Sequence, residues 1–510
     1  MRRSILSILI LLSISTCCTR TPILVSRIVS EGGKPCLEVD GQPFPIYGAQ
    51  IRIDIFRNCD YMDWGDIEAY FDKAVELGVN TVELSHTWRM VEPEMDRYEF
   101  STIDHLLTMA SGRGLKVELL WFGSNMIGDS YSFFIPDYIL RQKRLHMLRD
   151  DDGRPTRLYG YDHILYLDDP WLMERECKAV RALFDHIWAW DRKHGRTHPV
   201  ITCQIENEPD GGVRWRMDQQ AFRHRDSTLL TKEEMWKMTL ASLDAVGQSV
   251  QGSLYKVATR TNLIFGDNVR PFPQAPCAKP GDVLALSGID FVSVDPYKET
   301  VDELVDNVAG YASLAGNYPL VAENRGHYAN TPGLMLAASA VGGGYCIYDL
   351  ATSPYITSHS TPPFDSEGVY ESDLTEKPHT ADVKVMLRGL VAAGNELART
   401  PLEDFAAFNI RTDYPAQEIV QTVCTTGAEI EFRTEAGALA FALDRGDHLI
   451  LYATAPAVFS IRNGKLEGRE GPIETDGSEL VDLGFRSDGK INSTTRKLIG
   501  TYYFKNDEEE

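Results

Sequence analysis

The chain has 510 residues, too many for one ordinary hydrophobic core, so a large domain with a smaller companion is expected. Hydrophobic residues make up 43% and charged residues 25%, the balance of a soluble globular protein. The net charge is −23 with no basic patch or stripe, which argues against a nucleic-acid partner and suits a neutral ligand.

The chain opens on "MRRSILSILILLSISTCCTR", a basic start, a short apolar run and then small residues. That order predicts a secretory signal, since the run is too short to span a bilayer. Its end, "SISTCC", resembles a bacterial lipoprotein signal over residues 1–17, with Cys17 the first candidate for acylation and Cys18 the second. Membrane contact is then expected only through that lipid, on an exported protein of the periplasm or outer membrane. Ordinary cleavage would instead leave a secreted protein. The remaining cysteines, Cys36, Cys59, Cys177, Cys203, Cys277, Cys346 and Cys424, are scattered and form no CxxC pair. Neither a zinc site nor a disulfide framework is expected, and buried thiols are the simpler account.

From residue 22 onward, short apolar runs alternate with amphipathic stretches. The runs are "PFPIYGAQI", "NTVELSHTW", "KVELLWFG", "PVITCQIENEP", "YKVATRTNLI", "IDFVSVDPY", "YPLVAENRG" and "GYCIYDLATS". Between them lie helical patterns such as "DWGDIEAYFDKAVELG", "LMERECKAVRALFDHIWAWDRKHG" and "TKEEMWKMTLASLDAVGQSV", with a poorly defined one near "PGDVLALSG". About eight strand–helix units with continuous apolar strands predict a parallel sheet closed into a (β/α)8 TIM barrel over residues 22–399, with a short β segment at its start. No glycine fingerprint follows an early strand, which speaks against a dinucleotide-binding sheet.

Long loops follow the third, fourth and eighth strands, on the face where barrel enzymes build their sites. They carry aromatics that could stack on sugar rings, or simply anchor the loops, beside Asp, Arg and His that could hold hydroxyls. After about residue 400 the pattern switches to strict alternation with turns at "EAG", "RGD" and "RNG", which predicts an antiparallel β-sandwich over 400–510. The sandwich shows no catalytic constellation.

Glycoside hydrolysis needs two carboxyl groups facing each other across the anomeric carbon. A barrel supplies them by ending two strands on acidic residues, and two runs do so, "VITCQIENEP" and "PLVAENRG". In the first, strand alternation would put Glu206 and Glu208 on one face, with Glu208 nearer the mouth before Pro209. "LRDDDGR" lacks the rest of an EF-hand, and HExxH, GxSxG, a P-loop and His-x-His strand ends are absent, so no metal or cofactor is expected. "NST" at Asn492 is a sequon by pattern only.

"Asn207-Glu208-Pro209" resembles the Asn-Glu acid/base signature of the clan A retaining glycoside hydrolases, which are (β/α)8 barrels. "PVITCQIENE" resembles the Q-x-E-N-E motif of the family 35 β-galactosidases. "GQPFPIYGAQIR", "NTVELSHTWRMVEPEMDRYEF", "GLKVELLWFGS" and "IDFVSVDPY" resemble further blocks of that family and of the related family 42. The likeness covers about residues 38–350. It departs at "RTHPV", where family 35 commonly has Gly-Gly-Pro, and at Pro209, where an aromatic is common.

The resemblance implies Glu208 as acid/base and Glu323 as nucleophile, with Asn207 on the sugar 2-hydroxyl. Tyr297, ending strand six, is placed to donate to Glu323, whose charge would favour the protonated form of Glu208. Glu206 is expected in a structural or sugar-binding role, and Trp121, Gln50, Arg52, His86 and Tyr345 are further substrate-binding candidates near strand ends. The function implied is that of a retaining exo-β-glycosidase, a β-galactosidase before other clan A β-glycosidases, acting on an oligosaccharide or polysaccharide. A catalytically silent carbohydrate-binding lipoprotein is the alternative from another class, and the presence of both strand-end glutamates argues against it.

Overall fold

Eight parallel strands close on themselves: β1 Tyr47–Ile51, β2 Thr81–Thr87, β3 Lys116–Phe122, β4 Val200–Ile205, β5 Ala258–Ile264, β6 Phe291–Asp295, β7 Val321–Arg325 and β8 Tyr345–Tyr348. The computed structural model describes residues 20–124, 132–155, 157–158, 162–163, 165–219, 221–264, 276–360, 362–409, 418–422, 426–434 and 438–487. Cys17, Cys18, Cys424 and Asn492 lie outside the described residues. The eight runs read from the sequence are the eight strands, in chain order around the barrel.

Each strand is buried almost throughout, on its apolar outer face under the helices and on its more polar inner face in the lumen. Local signals end the helices between them. Asp63 and Asp66 make a capping box on Trp64–Leu77, and Gly78 terminates that helix at a positive φ of 93°. Asp169 caps Pro170–Lys193, with proline in its first turn, and Thr231 with Glu234 boxes the start of Lys232–Gln251. The poorly defined fifth pattern is a helix of only 5 residues, Pro280–Leu284.

An antiparallel ribbon, Ser26–Glu31 with Lys34–Val39, covers the floor of the barrel. Ser26 joins it to the strands: its Oγ donates to the Ile201 carbonyl and accepts from the Ala258 N–H at 2.8 Å. Beyond residue 400, two antiparallel sheets face each other across Phe408, Phe432 and Phe459. The outer face of the first sheet, with Phe405, Phe441 and Tyr452, joins the barrel's own core. Gly389 in the helix Thr380–Ala392 makes that contact possible, since a Cβ there would sit 2.4 Å from the Tyr452 ring.

The lumen is polar at mid-height. Arg260 of β5 is fully buried and donates to four other strands: Nε to Glu118 on β3 at 2.5 Å, Nη2 to Glu83 on β2 at 2.8 Å, and Nη1 to Gln204 on β4 at 2.6 Å and to Ser293 on β6 at 2.8 Å. Burial would lower its pKa, but Glu118 and Glu83 more than offset this and raise it, so the guanidinium stays charged. Burial and then the charge of Glu118 push the Glu83 carboxyl well above the usual carboxylate range, against the opposing charge of Arg260. Removing one partner of such a buried network leaves the other uncompensated. Arg260→Met is therefore expected to cost about 3–5 kcal/mol in urea unfolding. Adding Glu118→Gln should recover part of that loss.

Candidate active site

Strand β4 ends at Ile205, and the chain then leaves the extended conformation. Glu206 and Glu208 both have left-handed backbone, with φ of 60° and 45°. Strand alternation therefore stops at Ile205, three residues before the Glu208 to which the sequence reading carried it, and the two glutamates do not share a face. Left-handed backbone at a residue with a Cβ costs roughly 1–3 kcal/mol and persists only where the surroundings over-determine it.

The surroundings do so here. The Glu206 N–H donates to the Trp121 carbonyl at 3.0 Å, and its Oε2 accepts from the Gly123 N–H at 3.0 Å. The carboxylate is wholly buried on the outer side of the strand, close to Glu176 of the helix Pro170–Lys193. Only glycine fits between them, because a Cβ on residue 123 would lie 1.9 Å from Glu176 Oε1 and 2.8 Å from Glu206 Oε1. Glu206 thus fastens β4 to β3.

Asn207 accepts at Oδ1 from Gln204 Nε2 at 3.1 Å and from Asn262 Nδ2 at 2.8 Å. Two donors at the oxygen fix the sense of the amide, so its NH2 end is the donor. The Glu208 N–H donates to Asn262 Oδ1 at 3.1 Å, and Glu208 is 6% exposed at the mouth.

Across the lumen, Glu323 of β7 accepts from Gln50 Nε2 at 3.0 Å and, at its other oxygen, from the Tyr297 hydroxyl. Tyr297 is held there by a left-handed backbone, φ 46°, just past β6. Burial raises the Glu323 pKa, while the Tyr297 and Gln50 hydrogen bonds and the nearby Arg52 oppose the rise. Arg52 is itself gripped by Asp54, at 2.9 and 2.8 Å, and lies over the Phe122 ring at 5.6 Å.

A third carboxyl group, Asp295 at the end of β6, is within the field of both glutamates. Burial, then the charges of Glu323 and Glu208, raise its pKa well above the usual range. Asn262 Nδ2 donates to its Oδ2 at 2.6 Å, while its Oδ1 is buried without a hydrogen-bond partner among the described residues.

The predicted candidates divide by strand parity. Gln50, Arg52, Tyr297, Glu323, Asn207 and Glu208 gather at the mouth of the lumen. Trp121, His86 and Tyr345 fall on the outer face. Trp121 donates from Nε1 to Glu176 of the covering helix at 2.9 Å, and His86, its register partner on β2, shares its face. Tyr345 begins β8 rather than ending it, and its hydroxyl accepts from Asn324 Nδ2 at 2.8 Å. Its neighbour Cys346 turns inward toward Glu83 and Glu118, and Tyr348 turns inward too, its ring 5.9 Å from that of Tyr297.

Sequence reading passed over Asn262, Asp295 and Tyr348. Asn262 and Arg260 are two apart in "TRTNLI", a spacing that puts both on one face, and that was the available signal. Among the described residues one cluster has metal-ligand spacing, Glu83, Glu118 and Cys346. The Arg260 guanidinium already binds both carboxylates, so a divalent cation there would face a fixed positive charge.

His86 has neither ring nitrogen hydrogen-bonded among the described residues, and burial pushes its pKa down from 6.5 to about 4. The folded state therefore binds fewer protons than the unfolded one in this range. The stability of the neutral ring is complete above pH 6.5 and falls as the pH drops toward 4. Between pH 7 and pH 5 this one group should remove about 2 kcal/mol of unfolding free energy. Urea unfolding of His86→Leu should lack that component.

A family described as Beta-galactosidase, glycoside hydrolase family 42, matches residues 60–245, which hold β2 to β4. A second, described as a Domain of unknown function (DUF4978), matches residues 238–415, which hold β5 to β8 and the first sandwich strand. No curated protein matches the sequence. Among solved structures the chain is similar to an exo-beta-1,4-mannosidase from Opitutaceae bacterium strain TAV5, at 15% identity over 70% of this chain and 61% of that one, with a TM-score of 0.46. It is similar to a beta-galactosidase from the Antarctic haloarchaeon Halorubrum lacusprofundi, at 12% identity over 68% and 58%, with a TM-score of 0.47. A family 5, subfamily 18 protein from Streptomyces cattleya in complex with GlcNAc shows 13% identity over 68% and 80%, with a TM-score of 0.47. The chain spans about three fifths of the length of the first two. Over residues 60–245, which carry β2 to β4 of the barrel, the chain is similar to glycoside hydrolase family 42.

Proposed function

We propose that the protein is a retaining exo-β-glycosidase, a β-galactosidase, that releases terminal β-linked sugars from an oligosaccharide. The observation that carries this reading is a pair of strand-end carboxyl groups in one lumen with different surroundings. Glu323 on β7 has two hydrogen-bond donors and Arg52 nearby to hold it as the anion. Glu208 follows β4 on a turn whose neighbour, Asn207, presents an amide donor.

In the first step a Glu323 oxygen attacks the anomeric carbon while Glu208 gives its proton to the glycosidic oxygen, and the aglycone leaves as an alcohol. The sugar is then an ester of Glu323, whose charge is gone. Glu208, now the anion, takes a proton from water as that water attacks the same carbon. The ester bond breaks, Glu323 regains its charge and the sugar leaves with its β configuration. The Asn207 amide holds the 2-hydroxyl, a contact that strengthens as charge develops on the ring.

Exo action suits a walled mouth. Asp60, in the loop after β1, accepts from Ser353 Oγ at 2.6 Å and the Tyr355 N–H at 2.8 Å. It thereby fastens the helix Pro354–His359 of the long loop after β8 against that side of the lumen. We propose also that residues 1–17 direct export and that Cys17 or Cys18 carries a lipid; a bacterial host fed labelled palmitate would label the wild type and not the variant lacking both.

A panel of aryl β-glycosides tests the enzyme. Glu208→Gln and Glu323→Gln should each lose at least about a thousandfold in turnover. Azide should rescue Glu323→Ala with an α-glycosyl azide as product, and NMR of the first sugar released by the wild type should show the β anomer. Survival of Glu323→Gln alongside loss of Glu206→Gln would overturn the assignment. Tyr297→Phe removes a donor from the Glu323 anion, so the Glu323 pKa should rise. The acidic limb of its pH–rate profile should accordingly move to higher pH.

A further inference from the structure

Asn262 touches the proposed acid/base segment at two points and a third carboxyl at one. Its Oδ1 accepts from the Glu208 N–H at 3.1 Å, and its Nδ2 donates to Asn207 Oδ1 at 2.8 Å and to Asp295 Oδ2 at 2.6 Å. It is fully buried, as is Asp295. The Glu208 N–H can only donate, so the Asn262 oxygen must face it and the NH2 must face Asn207 and Asp295. Asp295 supplies an acceptor on that side and so holds the amide against a flip.

Of the two residues that Asn262 touches on this segment, Glu208 is itself left-handed at φ 45°, and Asn207 lies between it and Glu206 at φ 60°. The register of β4 on β5 pairs Gln204 with Arg260, and beyond it the side chain of Asn262 links β5 to the turn. Leu matches its size but offers neither an acceptor nor a donor. Asp offers only acceptors and would set an oxygen against both Asn207 Oδ1 and Asp295 Oδ2.

We propose that Asn262, seated on Asp295, is a positioning residue for the acid/base: it fixes the turn that aims Glu208 at the glycosidic oxygen and Asn207 at the 2-hydroxyl. The proposal rests on the assignment of Glu208 as the proton donor. Asn262 touches no reacting atom and acts only through its two neighbours.

A positioning role has a signature that a merely structural one lacks. Protonation matters for a poor leaving group and little for a good one, so misplacing Glu208 steepens the dependence of kcat/KM on the leaving group. The test uses the full chain and aryl β-glycosides of the sugar that the wild type turns over, with phenol and 2,4-dinitrophenol as leaving groups. Active sites are counted by trapping the intermediate with a 2-deoxy-2-fluoro glycoside, so a poorly folded fraction drops out of the comparison. Asn262→Leu and Asn262→Asp are expected to lose about 10–100-fold more on the phenyl than on the 2,4-dinitrophenyl substrate. Glu208→Gln should show the same contrast more strongly. If it does while both Asn262 variants lose equally on the two substrates, or lose nothing, the positioning role is wrong and the acid/base assignment stands. If Glu208→Gln shows no contrast, both fall together.

Discussion

The guanidinium of Arg260, buried in the barrel lumen, is the group on which the order of the site depends. It can only donate, and it donates to β2, β3, β4 and β6 at once. Its bond to Gln204 Oε1 forces the other end of that amide to donate, to the Glu206 carbonyl at 2.8 Å and to Asn207 Oδ1. Arg260 thereby orients Asn207 through Gln204 and without touching it. A fixed positive charge at the centre of the barrel thus sets the hydrogen-bond sense of a residue at its mouth. Burial raises the Glu83 pKa well above the usual carboxylate range, which favours its neutral form beside the guanidinium and eases the crowding of carboxylates there.

The site itself comes from a break in regular structure. A strand continued through Glu206, Asn207 and Glu208 would send both glutamates to one face. The left-handed backbone at residues 206 and 208 separates them, one into the seam between β3, β4 and the covering helix, the other to the lumen. Three carboxyl groups then meet at the mouth, and their hydrogen-bond donors tell them apart. Glu323 has Tyr297 and Gln50 with Arg52 behind them, whereas Asp295 has, among the described residues, Asn262 alone. Both are raised by burial, but Glu323 is the one equipped to carry a charge and Asp295 the one pushed well out of the carboxylate range.

The C-terminal sheets pack against the barrel. Their aromatic face packs on the helices Thr331–Ala340 and Thr380–Ala392, which return the chain from β7 and β8. The Tyr452 hydroxyl donates to the Val385 carbonyl where Gly389 lets the ring approach.

By itself the sequence determined the eight-stranded barrel, the antiparallel sheets after it, and the two strands that end on glutamate. These are local properties: apolar runs of strand length, capping residues such as Asp63 and Thr231, and acidic residues where a run stops. It also marked Asn207-Glu208 by resemblance. It did not separate lumen from exterior, and there the tertiary structure decided. A barrel strand is buried on both faces, as Val200–Ile205 is throughout, so hydrophobicity does not label the inside. That is why Trp121, His86 and Tyr345 were as plausible as Gln50 from sequence and why parity in the closed barrel divided them. Arg260, Asn262 and Asp295 were equally illegible, because what each does depends on partners 30 to 180 positions distant in the chain, roughly, brought together only when the barrel closes.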